Sequence, residues 1–344
     1  MNENKLKVWL DSAPLSSGHA FRGIGVYTKL LRQALSKQEM ITLVDHKNQA
    51  QVIHYPYFDF FFSTLPFSFL KKTVVTVHDT IPLVFPDHYK PGMKGQLRFW
   101  RQRAALRTAK AVITDSNSSA FDIKTFLGIK NKNIHVVPLA ANPNLIAQSD
   151  MLQKKVRRLF KLPKLYVLYV GDINFNKNLT SLIKMLKFLP KPIKLVCVGQ
   201  HFQPQPIPEW QWLETQLALS NVESRVRFIS ELKADSLAYL SAIYQQAVCY
   251  VQPSLYEGFG LPVLEAMQVG TPVVATNISS LPEVIGDAGI LVEPEAESLA
   301  KGVSQVLDFS VLKRQTVIKL GKQHSAAFHW QKVAEQTAKV YLNL

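Results

Sequence analysis

A segment rich in glycine and glutamate, residues 253–267 (PSLYEGFGLPVLEAM), offers the strongest signal for ligand chemistry. Gly258 and Gly260 leave the backbone free to approach a ligand, and the proline that follows suits the first turn of a helix, whose N–H groups hold anions. Glu257 precedes this turn and Glu265 lies on the helix, so the two carboxylates can contact different parts of one extended ligand. A carboxylate that accepts two vicinal hydroxyl groups is a common way to bind ribose. The alternative is a capping glutamate followed by a solvated one.

A second turn combines a glycine with a lysine. Gly171 follows the apolar run 166–170, and Lys177 opens the next helical pattern. This arrangement brings a compact cation and backbone N–H groups to one point, which suits a diphosphate. A lysine that simply faces solvent is the alternative interpretation.

Two turns in the first half of the chain carry weaker signals. His78 follows the apolar run 73–77 and has the chemistry to donate a hydrogen bond or exchange a proton, with Asp79 as the orienter of its ring. A structural histidine that caps the loop is the alternative. Gly23 and Gly25 stand just before a helical run and allow a backbone amide to approach a phosphate. A loop that needs glycine for positive φ explains them equally well.

Short β-branched runs alternate with longer helical patterns, which predicts parallel sheets built from βαβ units. Ligands of such sheets bind at the carboxyl ends of the strands, where all four turns lie. A polar, basic stretch at 142–164 separates two sets of runs. We therefore predict an α/β protein with two Rossmann-like, doubly wound domains that face a cleft. The first is 1–148, completed by a C-terminal helix at 326–344, and the second is 149–325.

Composition limits the class of protein. The chain has 344 residues, 47% hydrophobic and 19% charged, which excludes a disordered or coiled-coil protein. Its formal charge of +15 favours an anionic partner, namely a nucleotide, a phospholipid headgroup or a nucleic acid. Cys197 and Cys249 lie in apolar runs, so we expect neither a disulfide framework nor a thiolate metal site. The polar N-terminus does not read as a signal peptide and the apolar stretch 55–70 is too broken to span a bilayer, so we expect a cytoplasmic protein.

Taken together, these motifs closely resemble those of the retaining glycosyltransferases of the GT-B fold, family 4. The resemblance is carried first by YEGFGLPVLEAM at 256–267 and by the segments 270–275 and 280–284. It covers nearly the whole chain through further matches at Gly23-Ile24-Gly25-Val26-Tyr27, His78-Asp79-x-x-Pro82, Asp115-Ser116, Gly171, Lys177-Asn178 and Trp330. The His-Asp-x-x-Pro subgroup resembles mannosyltransferases of bacterial surface polysaccharide assembly.

The resemblance implies a role for each matching position. The catalytic positions are Lys177, which would neutralise the leaving diphosphate, Glu257, which would lie near the transferred sugar, and His78, which would face that sugar near the acceptor. Glu265 would bind the ribose hydroxyls of a nucleotide-sugar donor. The other donor-binding positions are Gly23, Gly25, Gly171, Asn176, Gly258, Phe259, Gly260 and Leu261. Such enzymes retain the anomeric configuration and need no metal or other cofactor, because lysine and helix N-termini replace the cation.

The chain departs from the family pattern at two places. Asn176 stands where most relatives carry an arginine, so either Lys177 suffices for the diphosphate or another cation, such as Arg22, replaces the lost bidentate partner. Leu139 and Ala140 stand where an Asn-Gly pair is usual. The implied activity is transfer of a hexose to a glycan or lipid-linked saccharide in cell-surface polysaccharide biosynthesis. GDP-mannose is the first expected donor, followed by UDP-sugars.

The first 150 residues contain nineteen Lys and Arg against ten Asp and Glu, which is +9 of the total +15. In GT-B relatives this domain binds the acceptor, so we expect a lipid-linked or anionic glycan and peripheral contact with the inner face of the cell membrane. The candidate contact residues are Phe58, Phe60, Phe61, Phe62, Phe67, Phe69, Lys71, Lys72, Arg98, Arg101, Arg103 and Arg107. In the alternative interpretation, part of the phenylalanine cluster is core and the arginines form a solvated helix face.

Three other classes explain less of the pattern. A nucleic-acid-binding protein fits the charge, but the sequence contains no recognition helix, zinc spacing or aromatic RNA-binding signature. A nicotinamide-dependent dehydrogenase fits the doubly wound pattern, but G-x-G-x-x-G is missing after the first strand. A nucleotide-sugar epimerase shares the fold and is the alternative within sugar chemistry, with an isomerised sugar as its product.

Overall fold

The computed structural model describes residues 5–16, 23–67, 71–232 and 236–344. The strands in these ranges are β1 Leu6–Leu10, β2 Ile41–Leu43, β3 Val52–Tyr55, β4 Lys72–Thr76, β5 Ala111–Thr114, β6 Ile134–Val136, β7 Tyr166–Val170, β8 Lys194–Val198, β9 Val226–Ile229, β10 Cys249–Gln252, β11 Val273–Thr276 and β12 Ile290–Val292. The α-helices are α1 Ala13–Ser16, α2 Gly23–Leu35, α3 Ile81–Val84, α4 Met93–Arg107, α5 Asn117–Asp122, α6 Asp150–Leu159, α7 Leu179–Met185, α8 Pro208–Ser220, α9 Leu237–Gln246, α10 Leu261–Val269, α11 Leu281–Ile285, α12 Ala296–Leu307, α13 Val311–Ala326 and α14 Trp330–Leu342. Single turns of 3-10 or π-helix join several of these elements.

The chain forms two compact units. Unit 1 contains Met1–Ala140 and Phe328–Leu344. Its six strands form a parallel sheet in the order β2-β1-β3-β4-β5-β6. The chain moves to opposite sides of β1 to form β2 and β3, so the carboxyl ends of β1 and β3 flank the switch point of the sheet.

Helix α2 packs in unit 1 through one apolar face. In α2, Tyr27, Leu30, Leu31 and Ala34 recur at helical spacing and are all buried. The C-terminal helix α14 packs against α2 within the same unit, and the ring centroids of Trp330 and Tyr27 lie 6.1 Å apart. Residues near the end of the sequence therefore complete the unit that the beginning of the sequence builds.

Unit 2 is Ala141–Ala327. Its strands form a second parallel sheet in the order β12-β11-β10-β7-β8-β9. The first three strands of the unit run outward from β7 and the last three run outward in the other direction from β10. The switch point therefore lies between β7 and β10, where a doubly wound sheet binds its ligand.

The predicted α/β class with two doubly wound domains is confirmed, since both sheets are parallel and alternate with helices. The observed division after Ala140 precedes the predicted boundary at 148. The cause is hydrogen bonding within unit 2: the side chain of Gln268 donates to the carbonyls of Asn142 and Leu145 at 2.9 and 2.7 Å. The start of the polar stretch 142–164 is thus held by unit 2. Cys197 and Cys249 are buried in β8 and β10 as core residues.

Candidate active site

The carboxyl edge of unit 2 brings together a lysine and a glutamate that are far apart in the sequence. Lys177 lies in the loop after β7 and Glu257 in the loop after β10, the two strands that flank the switch point. The lysine Nζ lies 2.7 Å from Glu257 Oε1 and 2.9 Å from Oε2. The Lys177 side chain is 20% exposed and that of Glu257 is 9% exposed. The pair therefore forms a shielded centre of charge at the place where parallel sheets bind ligands.

Two further side chains hold the Glu257 carboxylate. Gln252 Nε2 donates to Oε1 at 2.8 Å, and the Ser254 hydroxyl donates to the same oxygen at 2.6 Å. A buried carboxylate without donors would be costly, and these bonds with Lys177 offset that cost. Sequence analysis missed Gln252 and Ser254, although both stand directly before the glycine turn.

The glycine turn is held by two serines that directly precede α11. Ser280 Oγ donates to the carbonyls of Glu257 and Phe259, each at 2.9 Å, and the Glu257 N–H donates to Ser279 Oγ at 2.8 Å. Gly260 has φ of 105° and starts α10. The turn thus has one fixed shape, and Gly258 to Leu261 lead into the N-terminus of a nine-residue helix.

Glu265 projects from α10 and has a perturbed pKa. The Tyr244 hydroxyl donates to its Oε2 at 3.2 Å. Burial raises the pKa of Glu265 to about 7, and the Tyr244 hydrogen bond opposes that shift only in part. The carboxylate is therefore available as an acceptor for hydroxyl groups in a pH-dependent way.

The Asn176 side chain is buried between the lysine loop and the glutamate loop. Asn176 is only 1% exposed. Its side-chain Nδ2 donates to the Tyr256 carbonyl at 3.0 Å, and its backbone carbonyl accepts from the Leu255 N–H at 2.7 Å. Asn178 Nδ2 donates to the Pro253 carbonyl at 3.0 Å. These two asparagines hold the lysine loop against the glutamate loop, so Asn176 helps to fix Lys177 relative to Glu257.

Gly171 and Gly199 allow the ends of β7 and β8 to come close. Gly171 has φ of 155°, and a Cβ there would lie 2.7 Å from the Tyr169 hydroxyl. A Cβ at Gly199 would lie 2.1 Å from the Gly171 carbonyl oxygen. No side chain fits at Gly199, a requirement that the sequence signals only by a glycine directly after a strand.

At the carboxyl edge of unit 1, His78 follows β4. Its Nδ1 lies 2.7 Å from Asp115 Oδ2 and its Nε2 lies 3.1 Å from the Pro56 carbonyl. Burial alone would lower the pKa of His78, but the charge and hydrogen bond of Asp115 outweigh it and the pKa is raised. Asp79, predicted as the orienter, instead accepts from the N–H of Ile81 at 3.0 Å. The prediction for Asp79 is wrong because Asp115, at the end of the neighbouring strand β5, is the carboxylate that contacts the His78 ring.

Gly23 and Gly25, the two glycines predicted to bind the donor from unit 1, occupy the first turn of α2. Among the described residues, no heavy atom lies within 4 Å of the place that a Cβ at Gly23 would take, whereas Gly25 is buried. The cation Arg22, considered as a replacement for the missing arginine, lies outside the described residues. The described residues around position 23 therefore leave space for a side chain, so steric crowding there does not require glycine.

The phenylalanine cluster is divided between core and surface. Phe58 and Phe60 are buried, whereas Phe62 is 65% and Phe67 76% exposed. The Arg101 guanidinium lies 3.9 Å from the Phe67 ring centroid. Phe69 lies outside the described residues. Part of the cluster is core, as the alternative interpretation held, and part faces solvent.

Within the described ranges, no group of three or more His, Cys, Asp and Glu side chains is arranged to hold a metal ion. Every helix in the same part of the chain is too short or too polar to cross a membrane.

Two doubly wound units, with a lysine–glutamate pair at the switch point of the second, define the class of GT-B glycosyltransferases. Comparison of sequences gives the family. Residues 150–324 match the family described as Glycosyl transferases group 1, and residues 14–145 match Glycosyltransferase Family 4. The chain belongs to the glycosyl transferases group 1 family, and the predicted family is confirmed.

Several characterised proteins are similar to this chain. The O-antigen chain mannosyltransferase B of Escherichia coli is 29% identical over 79% of this chain and 70% of its own. The serotype-specific mannosyltransferase WbdA of Escherichia coli is 27% identical over 79% of this chain. The matched region covers only 34% of the length of that relative. The structure of Anabaena HepE in complex with UDP and glucose superposes with a TM-score of 0.74 at 17% identity, covering 99% of this chain and 100% of that one.

Proposed function

We propose that this glycosyltransferase moves a hexose, mannose before others, from a nucleotide sugar to a glycan or lipid-linked saccharide acceptor during cell-surface polysaccharide biosynthesis. The observation that carries the proposal is the Lys177–Glu257 pair at the switch point of unit 2, beside the N-terminus of α10. GDP-mannose is the preferred donor because relatives at 27–29% identity are named mannosyltransferases of O-antigen or serotype determination.

The residues at this edge divide the work of holding a donor. The Lys177 ammonium neutralises charge that develops on the leaving diphosphate, and the amides of Gly258 to Leu261 add hydrogen bonds from the helix N-terminus. Glu257 fixes the lysine and lies beside the transferred sugar. Glu265 accepts the ribose hydroxyl groups. The anomeric configuration is retained, and the cationic side chain with the helix N-terminus does the work that a metal ion does elsewhere.

Thermal unfolding with GDP, UDP, ADP and NAD in parallel tests the donor. A ligand at 100 times its dissociation constant stabilises the folded state by about 2.7 kcal/mol. We expect GDP to raise the melting temperature, and transfer from GDP-mannose to follow with a product of unchanged anomeric configuration and undiminished rate in EDTA. A shift with NAD and with none of the nucleoside diphosphates would contradict glycosyl transfer.

A UDP-sugar is the second candidate donor, and one observation favours it: HepE, which shares the fold, binds UDP and glucose. In that case UDP alone stabilises the protein. Release of an isomerised sugar without any acceptor would instead indicate a nucleotide-sugar epimerase.

We also propose that unit 1 contacts the inner face of the cell membrane through an aromatic and basic surface. Its exposed apolar residues are Phe62, Phe67, Met93, Leu97 and Trp100. Helix α4, which carries three of these, contains Lys94, Arg98, Arg101, Arg103 and Arg107 and no acidic residue. Apolar side chains that insert among headgroups and cations that meet lipid phosphates bind anionic bilayers together.

Sedimentation with liposomes tests this surface. We expect the protein to pellet with anionic vesicles at low salt and to be released by salt. Replacing Phe67 and Trp100 with serine should reduce pelleting several-fold. The matched control is Leu219→Ser, which removes an apolar side chain that is 73% exposed in unit 2. Equal pelleting of all three proteins would rule out the surface.

A further inference from the structure

One imidazole connects the ends of three neighbouring strands in unit 1. Pro56 directly follows β3, His78 lies just beyond β4 and Asp115 directly follows β5, and these strands are adjacent in the sheet. His78 Nδ1 lies 2.7 Å from Asp115 Oδ2, and Nε2 lies 3.1 Å from the Pro56 carbonyl oxygen. The His78 ring therefore holds three loops at the carboxyl edge in fixed relation.

The partners of the ring determine how many protons it carries. The Pro56 carbonyl can only accept a hydrogen bond, so Nε2 must carry a proton. The short contact between Nδ1 and Asp115 needs one more proton, on the nitrogen or on the oxygen. Imidazole is more basic than a carboxylate by about 2.6 pKa units in water. Burial raises the pKa of Asp115, but the pKa of His78 is raised as well, so this proton belongs on Nδ1. Both nitrogens are then protonated and the ring is a cation.

His54, on the adjacent strand β3, shows the opposite arrangement. Its Nδ1 lies 2.6 Å from the Tyr341 hydroxyl and its Nε2 lies 2.8 Å from Thr76 Oγ1. Hydroxyl groups donate or accept, so a neutral ring satisfies both contacts. Burial lowers the pKa of His54 to about 3, and the nearby charge of His78 acts in the same direction. The two histidines thus differ in protonation because hydroxyl groups contact His54, whereas a carboxylate and a carbonyl contact His78.

The charged and titratable groups around His78 support its protonated form. Burial opposes the charge, but Asp115 and then Asp79 favour it, and together with the Pro56 carbonyl they raise the pKa of His78. Tyr27 from α2 meets the ring edge to face at 4.6 Å and stays neutral, because burial raises its pKa. Asp115 Oδ1 has no hydrogen-bond partner among the described residues, so His78 is the group that compensates this carboxylate there.

We propose that His78 is a permanent imidazolium, held by Asp115 and the Pro56 carbonyl, and that it positions the loops at the carboxyl edge of unit 1 instead of exchanging a proton with substrate. Asp115 is a positioning residue that acts through His78. Both ring nitrogens are engaged by protein groups, so proton transfer to substrate would require one of these bonds to break. The inference goes beyond the proposed function and holds whatever sugar or acceptor is used.

Nitrogen NMR of the full chain tests the proposal without any substrate. The protein contains nine histidines, so the His78 signals are assigned as those missing from a His78→Gln variant. In ¹⁵N-histidine-labelled protein at pH 7.5, we expect both ring nitrogens of His78 to have protonated shifts, although a free imidazole with a pKa of about 6.5 is mostly neutral there. A neutral His78 ring at this pH, with the proton on Asp115, overturns the proposal.

The variant Asp115→Asn removes the charge and keeps the shape. We expect His78 to be neutral at pH 7.5 in this variant, because burial then acts without the compensating carboxylate. Asp172→Asn is the matched control, since Asp172 Oδ1 lies 2.7 Å from Nδ1 of His201 in unit 2, and it should leave the His78 spectrum unchanged. A folded Asp115→Asn protein whose His78 stays doubly protonated also overturns the proposal. If that variant fails to fold, the wild-type spectrum decides alone.

Discussion

The carboxyl edges of the two sheets are built on the same plan but from differently distributed residues. In unit 2, Gln252, Ser254 and Glu257 lie within one short segment, and Lys177 alone comes from a distant loop. In unit 1, His78 and its two partners, Pro56 and Asp115, come from the ends of three strands. In the described residues, each edge thus contains a shielded pair of a basic and an acidic side chain, but only in unit 2 do most of the groups that hold the pair come from one short segment.

This difference explains why unit 2 is easier to interpret from its sequence. A motif in one segment encodes a local backbone shape, a glycine turn that leads into a helix, and local shape follows from local residues. A site assembled from strand ends depends on which strands are neighbours, and this is a property of the sheet. Variants at the two edges should therefore differ in what they disturb.

Removal of the lysine should have the largest effect. In Lys177→Ala, the diphosphate loses its cation and the Glu257 carboxylate loses its ion pair, so we expect the barrier to turnover to rise by about 2–4 kcal/mol. Steady-state kinetics with GDP-mannose measure this. Lys187→Ala, which removes an exposed lysine of the same unit, is the control. Near-wild-type turnover of Lys177→Ala would show that the charge of Lys177 does not contribute to catalysis.

The two glycine turns should respond differently to alanine. Gly260→Ala forces φ of 105° on a residue with Cβ and places that atom 2.8 Å from Leu281 Cδ2, so we expect a loss of about 1–3 kcal/mol in the free energy of unfolding. A Cβ at Gly23 meets no atom within 4 Å in the described ranges, and we expect Gly23→Ala to leave stability unchanged or slightly increased. Denaturant unfolding measures both. Equal losses in the free energy of unfolding for the two variants would show that both turns require glycine to the same degree.

Donor binding should depend on pH through Glu265. Its pKa of about 7 means that the carboxylate is mostly ionised at pH 8 and mostly protonated at pH 6. If the ionised form binds ribose, the affinity for GDP-mannose falls about tenfold from pH 8 to pH 6. Calorimetric titration measures this, and GDP-mannose suits it because its diphosphate does not titrate near neutrality. Glu265→Gln should bind independently of pH, and a variant that keeps the wild-type slope would contradict the role.

The same shift affects stability with a definite sign. The pKa of Glu265 is about 7 in the folded state and near the ordinary 4.5 when unfolded, so the folded state binds the proton more tightly. The contribution of Glu265 to the free energy of unfolding therefore falls as the pH rises from about 4.5 through 7, and Glu265→Gln should lack that fall.

A modest effect is expected from Asn176. Asn176→Ala removes the hydrogen bond to the Tyr256 carbonyl and leaves that acceptor without its donor, so we expect a loss of about 1–2 kcal/mol in the free energy of unfolding. Asn176→Arg should lose at least as much and gain no donor affinity, because the position is only 1% exposed. Tighter donor binding by Asn176→Arg would show instead that this position faces the diphosphate.

Sequence analysis correctly predicted the elements that position the site. The alternation of β-branched runs and helical patterns predicted two parallel sheets, and the segment 253–267 contains a glycine turn and a helix that starts at Leu261. The family match at residues 150–324 confirms the class of protein. These features depend on backbone preferences and apolar periodicity, which a sequence displays directly.

The sequence by itself determined the class of fold, the turns and the family of this protein, because each depends on residues close together in the chain. Only the tertiary structure decided the partners of the functional side chains. It joined Lys177 to Glu257, gave His78 to Asp115 instead of Asp79, and buried Asn176. The physical reason is that a parallel sheet brings the ends of distant strands to one edge, and a side chain bonds to whichever group lies within reach there.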